Sequence, residues 1–223
     1  MILRFYSTSI GKKVVMALTG VLLIGFVVAH LLGNLQIFMG PEPFNAYAAF
    51  LKSIPGPLWV ARIGLLVVFL LHIITAFILR SQNRTARPVK YRRMGTRIAT
   101  PASLYMLETG VVILIFVLIH LLHFTLGVLQ PELYHVIDDE GRHDVYRMLV
   151  SGFQNGPYAV IYIVAMIALG YHLSHAFWSM FQTIGANAPG LDPVLRNAAK
   201  GLAIAVTLGY ISIPLAVITG ILK

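Results

Sequence analysis

Four histidines, His30, His72, His120 and His172, fall one apiece in four separate apolar stretches of this 223-residue chain, each stretch long enough to span a bilayer. An imidazole at membrane depth is costly unless it is paired or ligated, so four of them in four helices mark a functional site. Cysteine is absent, which excludes disulfides, cysteine-ligated iron–sulfur clusters and covalent haem attachment through a C-x-x-C-H motif in this chain. A redox metal here must be held by histidine or methionine. The plain alternative for any single intramembrane histidine is a hydrogen bond between helices.

The elements that must position these side chains follow from composition. The chain is 58% hydrophobic and 11% charged, far from the roughly 25% charged residues of a soluble domain. Apolar runs of about 20 residues cross hydrocarbon as helices, because a spanning backbone must satisfy its own hydrogen bonds. Five spans are expected, at about 14–36, 58–80, 104–129, 157–182 and 201–222, forming one transmembrane domain over 1–223. The expected fold class is an all-α membrane protein, a helix bundle enclosing two stacked bis-histidine sites. The first apolar run is followed by Asn34 and Gln36 rather than a small-residue cleavage site, so it reads as a span.

Prolines mark the span entries: Pro55, Pro57, Pro101, Pro157, Pro189 and Pro193. Pro214 lies inside the last span and is expected to kink it, with Ser212 or another helix serving the freed carbonyl. Two amphipathic stretches, 44–51 and 145–150, are expected to lie on the membrane surface.

The formal charge of +9 reflects topology rather than nucleic-acid binding. Basic residues gather before the first span (Arg4, Lys12, Lys13), after the second (Arg80 to Arg97) and after the fourth (Arg196, Lys200), while the other connections hold most of the acids. By the positive-inside rule the N-terminus is cytoplasmic and the C-terminus outside, in a multi-pass membrane protein.

Topology gives each histidine a height at about 1.5 Å per residue. His30 and His120 each come sixteen residues into an outward-running helix, in the outer half. His72 and His172 come fourteen and fifteen residues into inward-running helices, in the inner half. The two layers lie roughly 10 to 15 Å apart in a core of about 30 Å. Two histidines on opposing helices at one depth suit a haem b iron, which takes one axial nitrogen on each porphyrin face. Both axial positions are then filled, so such a site carries electrons rather than oxygen.

His123 and His175 follow His120 and His172 by three residues, about 60° around the helix. Either can replace its neighbour as ligand, hold a haem propionate, line a quinone pocket or face another helix. Ser179 and Gln182 continue a polar stripe from His172 and His175 to the cytoplasmic surface, where Ser9 and Lys12 also arrive; all four are candidates for a propionate or a quinone head group. Glu108, the one acid within a span, is expected to pair with the basic connection through Arg97, and His135 and His143 are expected to be solvated. Gly20, Gly25, Gly33, Gly110, Gly127 and Gly170 can admit a porphyrin or a neighbouring helix.

Several segments resemble one family. The stretches SIGKKVVMALTG and AHLLGNLQIF, TGVVILIFVLIHLLHFTLG, YRMLVSGFQ, GYHLSHAFWSMFQTIG and SIPLAVITG are similar to the cytochrome b558 membrane-anchor subunit of bacterial succinate dehydrogenase and fumarate reductase, from Ser9 to about Gly220. The resemblance implies a five-helix subunit of respiratory complex II in the bacterial cytoplasmic membrane, with two b haems. His30 with His120 match the outer iron's ligands and His72 with His172 the inner iron's. It further implies a cytoplasmic iron–sulfur subunit and a flavoprotein that carries FAD and the dicarboxylate site, menaquinone as electron partner, and trimers of complexes as one assembly state. No residue matches a catalytic quinone-side acid. The rival readings are a haem-free quinone-binding anchor and a histidine-relay transporter of protons or metal ions; the latter lacks buried acids and an inverted repeat.

Overall fold

A computed structural model describes residues 2–86, 101–186 and 188–223, with the side chains of residues 2 and 3 excepted. A short α1 (Ile2–Ser7) leads into α2 (Ser9–Leu35), then α3 (Pro41–Ser53), α4 (Pro55–Thr85), α5 (Pro101–Leu104), α6 (Met106–His120), α7 (Pro131–Tyr134), α8 (Val145–Gln154), α9 (Gly156–Thr183) and α10 (Asp192–Ile218). No strand occurs among the described residues beyond one isolated bridge, Ile137 to His143. Five helical segments are long and apolar enough to cross a membrane: Ser9–Met39, Pro55–Thr85, Met106–Thr125, Gly156–Thr183 and Asp192–Ile218.

Their outward faces are apolar. Leu18, Leu22, Val60, Ile63, Ile204 and Leu208 are all exposed. Apolar patches this extensive do not survive on a monomer in water, whereas hydrocarbon is their proper solvent. The five apolar helices make this an all-α, multi-pass membrane bundle.

The helices start where their first residues permit. Thr8 caps α2, its hydroxyl accepting from the Gly11 amide at 2.9 Å, and Asp144 caps α8 through the Arg147 amide at 2.9 Å. Proline occupies the first turn of α3, α4, α9 and α10, where its missing donor costs nothing. Several boundaries differ from the expectation; α2 begins at Ser9 rather than near 14, and the third span ends at Thr125 rather than 129. α10 begins at Asp192 rather than near 201, and α4 runs on to Thr85. Both extensions are polar turns, which hydropathy ends but backbone hydrogen bonding continues. Pro214 stays within a continuous α10. Ser212 donates to the carbonyl of Gly209 at 2.7 Å, one residue short of the carbonyl that a proline at 214 frees.

α9 is the spine. It packs on α10, α6 and α2, and α2 in turn carries α4. One core joins Leu31 of α2, Ala165, Met166, Leu169 and Leu173 of α9, and Ala203 and Val206 of α10. A β-carbon on Gly170 would lie 2.2 Å from Thr207 Oγ1, so this glycine serves the close approach of α9 to α10. A second core lies at the end of the bundle bearing α3, α7 and α8, here termed the capped end, around Ile37, Phe44, Phe153, Ala159, Tyr162 and Val217.

α3 and α8 are therefore packed structure, and more than surface amphipaths. Asn45, 2% exposed, donates to Asp144 at 3.0 Å and Asp138 at 3.3 Å and accepts from the Tyr146 amide at 2.9 Å. Arg142 holds Glu42 through two nitrogens and Asp138 at 2.8 Å. Its hydrogen bond and charge keep the Glu42 carboxyl below its ordinary pKa; at Asp138 burial works the other way but hydrogen bonds from Arg142 outweigh it. His143, expected to be solvated, is half-buried against Lys52, whose ammonium donates to its Nδ1 at 2.8 Å. Burial, then the Lys52 charge, lowers the His143 pKa, so it is held neutral.

Candidate functional site

The candidate outer histidines come together. His30, near the end of α2, and His120, the last residue of α6, have ring centres 5.9 Å apart with planes at 78°. Phe26 stacks on His30 at 5.2 Å and Phe116 lies 5.8 Å from His120, each four residues before its histidine and so one turn beneath it. Tyr210 of α10 reaches within 6.4 Å of His30 and donates to the Val27 carbonyl at 2.8 Å.

His72 on α4 and His172 on α9 lie toward the opposite end. Each is held by a threonine of the helix beside it. Thr19 Oγ1 is 3.0 Å from His72 Nδ1, and Thr109 Oγ1 is 3.2 Å from His172 Nδ1. Thr19 and Thr109 each stand eleven residues before an outer histidine, which puts the two layers about 16 Å apart along the helix axis. The rings of all four histidines are only partly covered by protein.

His120 and His123 belong to one hydrogen-bonded chain. Tyr162 OH lies 3.4 Å from His120 Nδ1 and 3.2 Å from His123 Nδ1, while His123 Nε2 lies 2.6 Å from Gln130 Oε1. A carbonyl oxygen only accepts, so His123 donates from Nε2 and its Nδ1 accepts the tyrosine proton. Tyr162 oxygen is then left to accept from His120 Nδ1–H. The chain runs one way, and it leaves the lone pair of His120 on Nε2. His123 is 2% exposed and spends both nitrogens on these bonds. A π-turn at Leu121–Thr125 directly after His120 carries it there, a distortion often found at functional sites.

The other candidates are scattered. His175 lies 5.8 Å from the Trp178 ring, which Arg196 covers at 3.7 Å; Asp192 accepts from both Trp178 and Arg196 at 2.7 Å. This cluster pins the start of α10 to the end of α9. Ser179 is partly covered and Gln182 exposed in the last turns of α9. Lys12 is buried and donates to the Ser7 carbonyl at 2.8 Å, beside the Tyr6 ring, and Ser9 is exposed at the head of α2. Glu108 is exposed; Arg97, its expected partner, lies outside the described residues, as do Arg87, Lys90, Arg92 and Arg93. Of the glycines, Gly20 and Gly110 face the His72 and His172 rings at 3.7 and 3.5 Å from an added β-carbon, Gly33 faces Tyr47, and Gly127 is a left-handed turn against Tyr134.

One signal was missed in the sequence. Thr19-Gly20 and Thr109-Gly110 open the same pattern, T-G-V-x4-F-V-x2-H-L-L, in the first and third spans. Each copy presents a threonine to an inner histidine, a phenylalanine beneath an outer one, and the outer histidine itself. Tyr162 and Gln130 have no such signature, because their partners are set only by packing.

No family model, curated protein or solved structure matches this chain. Among the described residues no group of three or more histidine, cysteine, aspartate or glutamate side chains gathers to hold a bare metal ion. The histidine rings that do meet among the described residues are those of His30 and His120, and such a pair would suit a group that supplies the remaining ligands itself.

Proposed function

We propose that this chain is the dihaem cytochrome b anchor of a succinate dehydrogenase or fumarate reductase, passing electrons between an iron–sulfur subunit and menaquinone. The observation that carries the reading is the facing of His30 and His120. Two imidazoles sharing one metal at about 2 Å from each nitrogen have ring centres roughly 6 Å apart, and these stand at 5.9 Å. The hydroxyl partners on His72, His120 and His172 support it, since each occupies Nδ1 and leaves Nε2 for a metal.

His30 and His120 are the candidate ligands of the outer haem, His72 and His172 those of the inner. When bound, two b haems supply reversible one-electron transfer between the two membrane faces. The protein's part would be to supply one histidine nitrogen from each of two helices to each iron and to flank the outer pair with Phe26 and Phe116. The basic connections favour the end of the bundle opposite the cap as the cytoplasmic one, in a bacterial membrane, and so as the docking end for an iron–sulfur subunit and its flavoprotein. Menaquinone is the electron partner that the family resemblance implies.

The test is an optical and haem-extraction analysis of the chain purified with its partners. About two b haems per chain are expected, with H30A or H120A losing one and H72A or H172A losing the other. A haem-free protein with intact quinone reductase activity refutes the conduit and favours the plain anchor; ion flux without dehydrogenase activity favours a transporter.

A further inference from the structure

We infer that Thr19 and Thr109 are paired positioning residues that fix the two inner histidines in the Nδ1–H form and aim both Nε2 lone pairs at one shared metal. The inference rests on the dihaem reading and names residues that reading does not include.

A threonine hydroxyl has one proton. Thr19 gives its proton to the carbonyls one turn back, Val15 at 2.8 Å and Met16 at 3.1 Å; Thr109 does the same to Tyr105 at 2.8 Å and Met106 at 3.2 Å. With the proton spent, each oxygen can only accept from the histidine in front of it. The facing nitrogen, Nδ1 of His72 or His172, must therefore be N–H.

Among the described residues no hydrogen bond reaches Nε2 of either ring. That nitrogen carries the free lone pair. Back-bonding also locks the threonine rotamer, so the acceptor is fixed before any ligand arrives. An acceptor on the distal N–H raises the ligand's basicity and sets the ring's orientation. Thr19 is itself 5% exposed, so the bond is shielded from competing water. The device occurs twice, on α2 against α4 and on α6 against α9, at the same place in the repeated sequence pattern. A single threonine so placed could be a chance packing solution; two at matched positions, each on a candidate inner ligand, point to a common task.

The experiment uses the full chain with its partners in phospholipid bilayers, as wild type, T19V, T109V, T19S and T109S. Valine keeps the shape and removes the acceptor, and serine restores it. Nitrogen-15 solid-state NMR on labelled histidine reads the tautomer whatever the haem content. The wild type is expected to show Nδ1–H on His72 and His172, with T19V disturbing only His72 and T109V only His172. Potentiometric titration reads the second effect. Each valine variant should raise the midpoint of the inner haem alone, by about a tenfold shift in its reduction equilibrium, or ~59 mV for one electron, and serine should return it.

Two haems present but nitrogen signals and both midpoints unmoved in T19V and T109V would overturn the inference. Equal movement of both haems, or no rescue by serine, would also overturn it by reducing the threonines to general packing. A wild type without haem refutes the conduit instead, and the tautomer measurement then decides the threonine bonds by itself.

Discussion

Replacing Tyr162 by phenylalanine removes one oxygen atom and cuts the chain His120–Tyr162–His123–Gln130 at its centre. The ring stays among Phe116, Phe124 and Phe153, whose centres lie 4.9, 5.6 and 4.9 Å from it, so the packing is unchanged. Two hydrogen bonds are lost, at 3.2 Å to His123 and 3.4 Å to His120, the second at the long limit of such bonds. Interhelical hydrogen bonds in a membrane protein average about 0.6 kcal/mol and reach about 1.7. A buried acceptor left unpaired costs about 1–3 kcal/mol, and His123 Nδ1 has no water to turn to. The longer bond adds little, so Y162F should lose about 1–2 kcal/mol. The check is reversible unfolding of Y162F, H123F and the double variant in lipid bicelles, read as a double-mutant cycle, with a coupling of about 0.6–1.7 kcal/mol expected. On the dihaem proposal the Y162F variant should bind as much haem as the wild type, because His120 Nε2 is untouched. Coupling indistinguishable from zero would refute the one-way chain and the tautomers deduced from it.

At the cap, the lowered pKa values of Glu42 and Asp138 mean that the folded state prefers both ionised. Their contribution to stability is full above the ordinary carboxylate range and disappears as pH falls through the lowered values. Neutral His143 acts with the same sign from a higher starting point: its contribution is complete above about 6.5 and lost as acid protonates it. Protection of the α3–α8 cap from hydrogen exchange should therefore decline in acid, in two stages, before the spans open; R142M should remove the lower stage, and a cap equally protected at pH 3 and 7 would count against these pairings. In the spans, G170A should weaken the α9–α10 contact by about 1–3 kcal/mol through overpacking, because the added carbon would meet Thr207 Oγ1. T207A should relieve most of that loss in the same unfolding assay, and equal stability of G170A and wild type would contradict the close approach.

The spans were legible because a hydrocarbon solvent leaves few choices. A run of about 20 apolar residues must be helical, and only its ends were misjudged, as at Asp192 and Thr85. The meeting of His30 and His120, with ring centres 5.9 Å apart, agrees with heights counted from residue number along the helices. The cap was less legible. Asn45, Asp138, Arg142 and Asp144 come from positions up to about a hundred residues apart, and nothing in local pattern says that they meet. His123 shows the limit most clearly. Its spacing from His120 left ligand, propionate and quinone roles open, and Tyr162 and Gln130, brought in by packing and by a π-turn, claim both of its nitrogens.

The second nitrogen of a membrane histidine explains why hydroxyls recur in this site. An imidazole that gives Nε2 to a metal still carries an N–H at Nδ1, and in hydrocarbon that donor has no water to meet. A carboxylate partner would satisfy it at the cost of burying a charge; Glu108, the residue before Thr109, is exposed, and it is the threonine that meets the ring. A threonine back-bonded to its own helix is a neutral acceptor, needs no extra residue to serve its proton, and keeps the helix intact. It also fits where helices pack closely, as tyrosine does not. Thr19 and Thr109 occupy such helix contacts, whereas Tyr162, packed among Phe116, Phe124 and Phe153, serves His120 near the cap. If that logic holds, the repeated T-G pair belongs to the site as much as the histidines do, and exchanging Thr19 for asparagine, which offers both donor and acceptor, should leave His72 free to adopt either tautomer and broaden its nitrogen signals while His172 stays sharp.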